Sequence, residues 1–307
     1  MENFTSKTLI VGSVALDDIE NSQAAKTQLL GGSASYASLA ASFFAPTRMV
    51  GIVGDDFPQE HLDLFAERGV QLDGLQKVVG KTFAWSGVYS ENMNDRETRW
   101  VELNVFADFR PDLPQDWMQT EIVLLANIAP QLQLHVLSQV QKPVFVIADT
   151  MDLWIATAKD ELLEVIKRVD LLVLNDGEAR QLTGLHNLLS AGEAIRDLGP
   201  RFVIIKKGEH GAILLGHNET FVLPAFPLSE VHDPTGAGDC FVGAFAGYLA
   251  KAGGVPSTET LRSAAIAGTV LASFNVEDFS VERLRKLDKE QLEERLQTFR
   301  HMTSWPA

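Results

Sequence analysis

Cys240 is the one cysteine among 307 residues, so no disulfide can form within the chain. A reducing compartment fits that scarcity, and the cytoplasm is the expected location. Positive charge is scarce as well. Lys and Arg number 26 against 41 Asp and Glu, a formal net charge of −15. Nucleic-acid backbones are bound by basic surfaces, so a general nucleic-acid role is excluded. A small anionic ligand is not, because amides and a metal ion can hold it locally. The apolar run at residues 9–16 contains a glycine and a serine and stops at Asp17 and Asp18. It is too short for a membrane span and lacks the basic segment and cleavage site of a leader. It reads as a first buried strand, and no membrane partner is expected. Internal repeats and low-complexity linkers are absent. No G-x-G-x-x-G follows the first strand, which argues against a dinucleotide-dependent oxidoreductase.

Core material is ample, at 46% hydrophobic residues. Apolar runs at 8–15, 47–54, 121–128, 143–150, 171–175, 202–208 and 212–216 are rich in Val and Ile with little polar alternation. Strands buried on both faces have this pattern. Helical spacing recurs between them at 33–44, 58–68, 155–168 and 189–198. The alternation predicts a single α/β domain over 1–307, an open, doubly wound, mostly parallel sheet flanked by helices. A small-residue helix is expected at 257–273, and a charged amphipathic surface helix at 280–300.

Residues 81–105 break the pattern. Phe83, Trp85 and Tyr89, then Val101, Leu103 and Val105, recur at even spacing around the polar turn 91–97. That predicts a β-hairpin with one apolar face. Outside the main sheet it would be a flap covering a ligand or a partner subunit.

Residues 233–241 read DPTGAGDCF and run into apolar helical sequence that ends near Gly253 and Gly254. Gly236, Ala237 and Gly238 therefore open a helix. First-turn amides have no helical partner, and with the helix dipole they form an anion site. Asp239 there is either a helix cap or a carboxylate that takes a proton from an attacking hydroxyl.

The stretch 233–244 resembles the C-terminal signature of the ribokinase (PfkB-type) carbohydrate kinases. Other segments follow in the family's order. GSVALDD (12–18) resembles its first strand, with Asp17 as the substrate-binding aspartate. GGSASYASLAASFF (31–44) resembles its Gly-Gly signature, and VGDDF (53–57) follows. NDGE (175–178) matches its Asn-x-x-Glu motif, and KKGEHG (206–211) its strand–glycine segment near the nucleotide. The resemblance spans roughly residues 8–285.

It implies ATP-dependent phosphoryl transfer to a small hydroxyl compound. Asp239 would be the base, with a low pKa at the helix start that a loose transition state tolerates. The amides of Gly236, Ala237, Gly238 and Asp239 would hold the developing negative charge. Glu178 with Asn175 would organise Mg²⁺ through water, unless the two form only a helix cap. Asp17, Gly31, Gly32, Ser33 and Tyr36 would bind the acceptor. Asn175, Lys206, Gly208, Gly211 and Gly238 would bind the nucleotide, although a strand-end lysine is more often solvated. The hairpin 81–105, with parts of 13–31, would form the family's lid, through which relatives often dimerise.

Departures bear on the substrate. Tyr36 stands where the family usually carries an asparagine that contacts the sugar, and Ser33 where ribokinases often have lysine. Pocket shape must differ, and ring stacking on Phe83, Trp85 or Trp100 keeps a nucleoside acceptor in play beside a sugar. A non-catalytic ligand-binding relative is a third reading. Asp233 is the candidate ligand for the potassium ion some relatives bind, although the loop 273–280 lacks the usual glycine. Asp149 and Asp152 end a strand near the cleft without an assigned role. Cys240 is expected as a small buried side chain of the helix.

Overall fold

The computed structural model describes residues 7–91, 93 and 96–304. Asn92, Asn94 and Asp95 of the hairpin turn lie outside them.

The first third of the chain forms β1 (Thr8–Val11), β2 (Ala15–Glu20), β3 (Ala25–Gly31), α1 (Ser33–Ser42), β4 (Thr47–Val53), α2 (Gln59–Glu67) and β5 (Val70–Lys77). Next come β6 (Phe83–Tyr89), β7 (Arg96–Glu102), β8 (Ile122–Leu125), α3 (Pro130–Gln139) and β9 (Phe145–Asp149). The middle continues through α4 (Asp152–Thr157), α5 (Lys159–Ile166), β10 (Leu171–Asn175), α6 (Asp176–Thr183) and α7 (Leu188–Asp197). Then follow β11 (Phe202–Lys206), β12 (Ala212–Gly216) and β13 (Glu219–Leu223). The chain closes with α8 (Ala237–Ala252), α9 (Thr258–Asn275), α10 (Glu282–Lys286) and α11 (Lys289–Thr303).

Nine strands form the main sheet in the order β13-β12-β11-β10-β9-β8-β1-β4-β5. From β11 to β5 every neighbouring pair is parallel, and β12 and β13 add an antiparallel edge. β1, β4, β8 and β9 are buried at every position, which is why their sequences lack polar alternation. One core packs α1, α8 and α9 on one face, and a second packs α3, α5 and α7 on the other. Strand order reverses beside β1: the chain first builds outward through β4 and β5, then returns to β8 on the opposite side. A crevice opens at such a switch point, beyond the carboxyl ends of the strands.

β3-β2-β6-β7 form a separate small sheet, antiparallel in its two outer pairs and parallel between β2 and β6. The run at 8–15 is thus not one strand. It breaks after Val11, and Ala15 starts the small sheet. The expected apolar face of the hairpin also fails on its second strand. All seven residues of β7 are exposed, Val101 and Leu103 are each 50% exposed, and Val105 lies in a 3₁₀ turn, Asn104–Asp108. A register shift between Ser86 and Gly87 interrupts the alternation. The helix expected at 155–168 is two helices, parted where Ala158 leaves helical geometry at φ −140°. The tail helix is parted at Asp288, whose side chain caps α11, and Leu292 and Phe299 are buried rather than solvated.

Candidate active site

α8 begins as expected. Gly236 is its N-cap at φ 76°, a conformation that favours glycine, and the helix ends at Ala252. A side chain at Gly236 would also collide with the Tyr36 ring, 2.4 Å from a Cβ there. No backbone carbonyl among the described residues accepts from the N–H groups of Gly236, Gly238 or Asp239. Ala237 differs from expectation, because its N–H donates to Pro234 O at 3.2 Å. The open amides are therefore those of Gly236 and Gly238, while the Asp239 N–H is engaged by its own carboxylate.

The loop before α8 is tied on both sides. Asp233 is fully buried, and its two carboxylate oxygens accept the N–H groups of Thr235 and Ser280, both at 2.9 Å. Asn275 Nδ2 donates to Thr235 O at 2.8 Å. The small sheet joins in through Thr235 Oγ1 to Tyr89 OH at 3.0 Å and Asn21 Nδ2 to His232 O at 2.7 Å.

Asp239 occupies the third residue of α8. Burial, followed by the charge of Asp149, pushes its carboxyl up to about 7, against the pull of Lys206 and Arg96. The low value expected from the helix start is thus overturned: desolvation outweighs the dipole. Lys206 ends β11, and its ammonium comes to the glycine loop, since a Cβ on Gly238 would lie 2.8 Å from Nζ. It is therefore not a solvated strand-end lysine. Burial works against its charge, but Asp149, Glu178 and Asp239 outweigh that and raise its pKa.

Asp17 lies in β2, is buried, and keeps Oδ1 without a hydrogen-bond partner. Burial, then the charges of Asp233 and Asp239, raise its carboxyl well above the usual range. Gly31, which pairs with Ala15 in the small sheet, lies against its carboxylate: a Cβ there would sit 1.9 Å from Asp17 Oδ2. Gly32 and Ser33 start α1 at the switch point. Ser33 Oγ accepts from Ser13 N at 3.1 Å and donates to Asn127 O at 3.1 Å, linking the ends of β1 and β8. Tyr36 is 1% exposed, its ring lies against Gly236, and its phenol neighbours Asp233, Asp17 and Ser280.

Asn175 and Glu178 form a reciprocal cap on α6. Asn175 Oδ1 accepts Glu178 N–H at 2.8 Å, and Glu178 Oε2 accepts Asn175 N–H at 2.7 Å. Burial pushes Glu178 up to about 7, with Asp149 and Asp152 adding to it against Lys206. A carboxylate that has one oxygen outside the cap and other carboxylates nearby suits a hydrated divalent cation. No group of three or more His, Cys, Asp or Glu with metal-binding geometry occurs among the described residues. Gly208 and Gly211 flank a 3₁₀ turn after β11, and Gly211 packs against Leu223 O, 2.1 Å from a Cβ there. Cys240 is buried as expected.

Asp149, expected at a strand end near the cleft without an assigned role, gains a partner: it lies 3.4 Å from Lys206. Two features escaped the sequence. Arg96 of β7 stacks on Trp85, 5.3 Å from the ring centroid, and its charge acts on both Asp17 and Asp239. Trp154 Nε1 donates to Asn127 Oδ1 at 2.9 Å, beside Met151. Neither has a local signal, because each is defined by residues distant in the chain.

Residues 9–284 match the pfkB family of carbohydrate kinases. The chain belongs to that family. This pfkB-family chain is 29% identical over 247 residues to a cytidine kinase of Thermococcus kodakarensis, covering 78% of this chain and 87% of that one. A ribokinase of Arabidopsis thaliana is 28% identical over 260 residues, covering 78% and 66% respectively. In fold, it matches the nucleoside kinase of Methanocaldococcus jannaschii with a TM-score of 0.76 at 21% identity, over 97% of this chain and 99% of that one. Membership makes this a kinase, and the relatives matched are a cytidine kinase and a ribokinase. No helix among the described residues is long and apolar enough to cross a membrane.

Proposed function

We propose that this single kinase domain transfers the γ-phosphate of ATP to a hydroxyl of a sugar or sugar-like compound. One observation carries the reading. The Asp239 carboxylate, the open amides of Gly236 and Gly238, the Lys206 ammonium and the Asp17 carboxyl lie together around the start of α8. Asp17 is the acceptor's anchor, since Oδ1 is free to accept from an acceptor hydroxyl. Asp239, held near neutrality, is poised as general base for the attacking hydroxyl. The amides and Lys206 face the negative charge that develops on the transferring group. Gly208 and Gly211 belong to the nucleotide side.

Mg²⁺ would be held through water by Glu178, which Asn175 orients, and would neutralise phosphate charge. Asp233 serves as a loop clamp, with one backbone N–H held by each of its oxygens. Tyr36 supports the loop from beneath rather than touching the acceptor. The small sheet acts as the lid, and its exposed edge strand β7 is the surface for a second copy.

A nucleoside acceptor is the second reading. The cytidine kinase relative favours it, as does the partly buried Trp154 near the switch point, where a planar base could stack.

Coupled ADP release over sugars, polyols and nucleosides tests both. Asp239→Asn is expected to cut turnover of the best acceptor roughly 10²–10⁴-fold. Full activity in that variant would refute the mechanism. Binding of acceptor and nucleotide without turnover in the wild type would instead support a non-catalytic relative.

A further inference from the structure

Asp149 takes no part in the scheme above, yet it is 4% exposed and lies against Lys206. It ends β9, and Lys206 ends β11, with β10 between them. The registers set Val173 beside Asp149 and Asn175 beside Lys206. The two side chains therefore reach towards each other over the end of β10, and Oδ1 meets Nζ at 3.4 Å. An ammonium has three donors. Among the described residues, Asp149 is the single hydrogen-bond acceptor given to Lys206 Nζ. Two donors remain unengaged on a side chain only 18% exposed, at the Cα of Gly238 and hence at the open amides. Burying an ammonium so incompletely bonded is costly unless an anion completes it. Lysine also has a long flexible stem, so a fixed position needs a partner.

We propose that Asp149 is a positioning residue for phosphoryl transfer: it holds the Lys206 ammonium at the glycine loop, where the two remaining donors meet the terminal phosphoryl group. This rests on the kinase reading of the site. A purely structural ion pair would satisfy the lysine away from the loop amides, and this one leaves it facing them.

The test compares wild type, Asp149→Asn, Lys206→Gln and the double variant by calorimetric titration with the ATP analogue AMP-PNP and with ADP. Asp149→Asn is expected to weaken AMP-PNP about ten-fold and ADP by less than about two-fold, because only the former carries the terminal phosphoryl group. In the Lys206→Gln background the same change is expected to have little further effect. Additive losses, or equal losses for both nucleotides, would overturn the proposal. Asp149→Glu keeps the charge but moves the oxygen, and the same selective loss is expected should Asp149→Asn not fold.

A second readout is the acid limb of kcat/KM. The groups facing Asp239 are Asp149 from β9, Lys206 from β11, Arg96 from β7 and Asp17 from β2. Removing the Asp149 charge by itself moves the limb to lower pH, and releasing Lys206 from the loop moves it back up, so Asp149→Asn is expected to lower the limb more in the Lys206→Gln background than alone. An equal shift in both backgrounds counts against the proposal. Wild-type nucleotide binding without turnover of any acceptor would refute the kinase reading while leaving the AMP-PNP comparison decisive for Asp149. No binding of AMP-PNP by the wild type would overturn both.

Discussion

Asp239 is where residue-level reasoning was most corrected. A helix start lowers a carboxylate's pKa by dipole and amide bonding. Here burial and the neighbouring charge of Asp149 win, and the group sits at about 7. A base that titrates near neutrality has a visible pH signature. The kcat/KM of the wild type is expected to rise as pH increases through about 7 and then level, as Asp239 loses its proton. A flat profile from about pH 5 to 8 would show that the ionisation of Asp239 does not limit the reaction. The glycines, Asp17, Glu178 and Asp239 were legible in the sequence because each belongs to a short local pattern. Asp149 was legible as a strand-end carboxylate near the cleft but without a role, and Arg96 was not legible. Their roles come from charges contributed by β7, β9 and β11, which no local pattern reports.

At the scale of elements, the buried parallel strands were read well, since double-sided burial writes itself as unbroken Val and Ile. β3 and β5 were missed because their exposed and mixed positions leave no clean period. β2 was hidden by Asp17 and Asp18, poor strand formers placed there for the cleft. The joint between α2 and α10 was equally invisible. Arg68 Nη2 donates to the carbonyls of Leu284, Arg285 and Leu287 at 2.6–2.9 Å, and its guanidinium lies 4.7 Å from the Phe43 ring centroid. It closes the end of α10 from another element. Arg68→Ala is expected to cost about 2–3 kcal/mol, measurable by urea unfolding, because three carbonyls lose a charged donor together. A loss within about 0.5 kcal/mol would mean that water replaces it. β7 carries the other prediction at this scale. It is an edge strand exposed along its whole length, with Trp100 and Val101 uncovered on its two faces. Val101→Asp is expected to convert a dimer to a monomer in analytical sedimentation. A wild type already monomeric would rule out the lid as an interface.

Across the whole molecule, the site trades stability for chemistry. Burial raises the carboxyls of Asp17, Asp149, Asp233, Asp239 and Glu178 above their ordinary values. A carboxyl whose folded pKa lies above its unfolded one contributes stability that is fully present below the unfolded value. That contribution is lost as pH rises through the folded value. His61 acts in the opposite sense. Burial lowers its pKa, so it favours the fold above its unfolded value and opposes it as pH falls. Asp239 and Glu178, both pushed up to about 7, set the window, so the unliganded protein is expected to melt at a higher temperature at about pH 6.5 than at about pH 8. At the higher pH, Asp239→Asn is expected to melt about 2–4 °C above wild type while being inactive. A lower melting temperature in the variant would show that the carboxylate is a net stabiliser of the loop.

The sequence by itself determined the fold class, the kinase family and the loop that opens α8, because those rest on hydrophobic periodicity and on glycines and carboxylates at short fixed spacing. Tertiary structure alone decided three matters. It packed the Tyr36 ring against Gly236, brought Lys206 to Gly238, and raised the pKa of Asp239. The physical reason is common to all three. Burial and charge at a point in space are sums over distant residues, and no local pattern encodes such a sum.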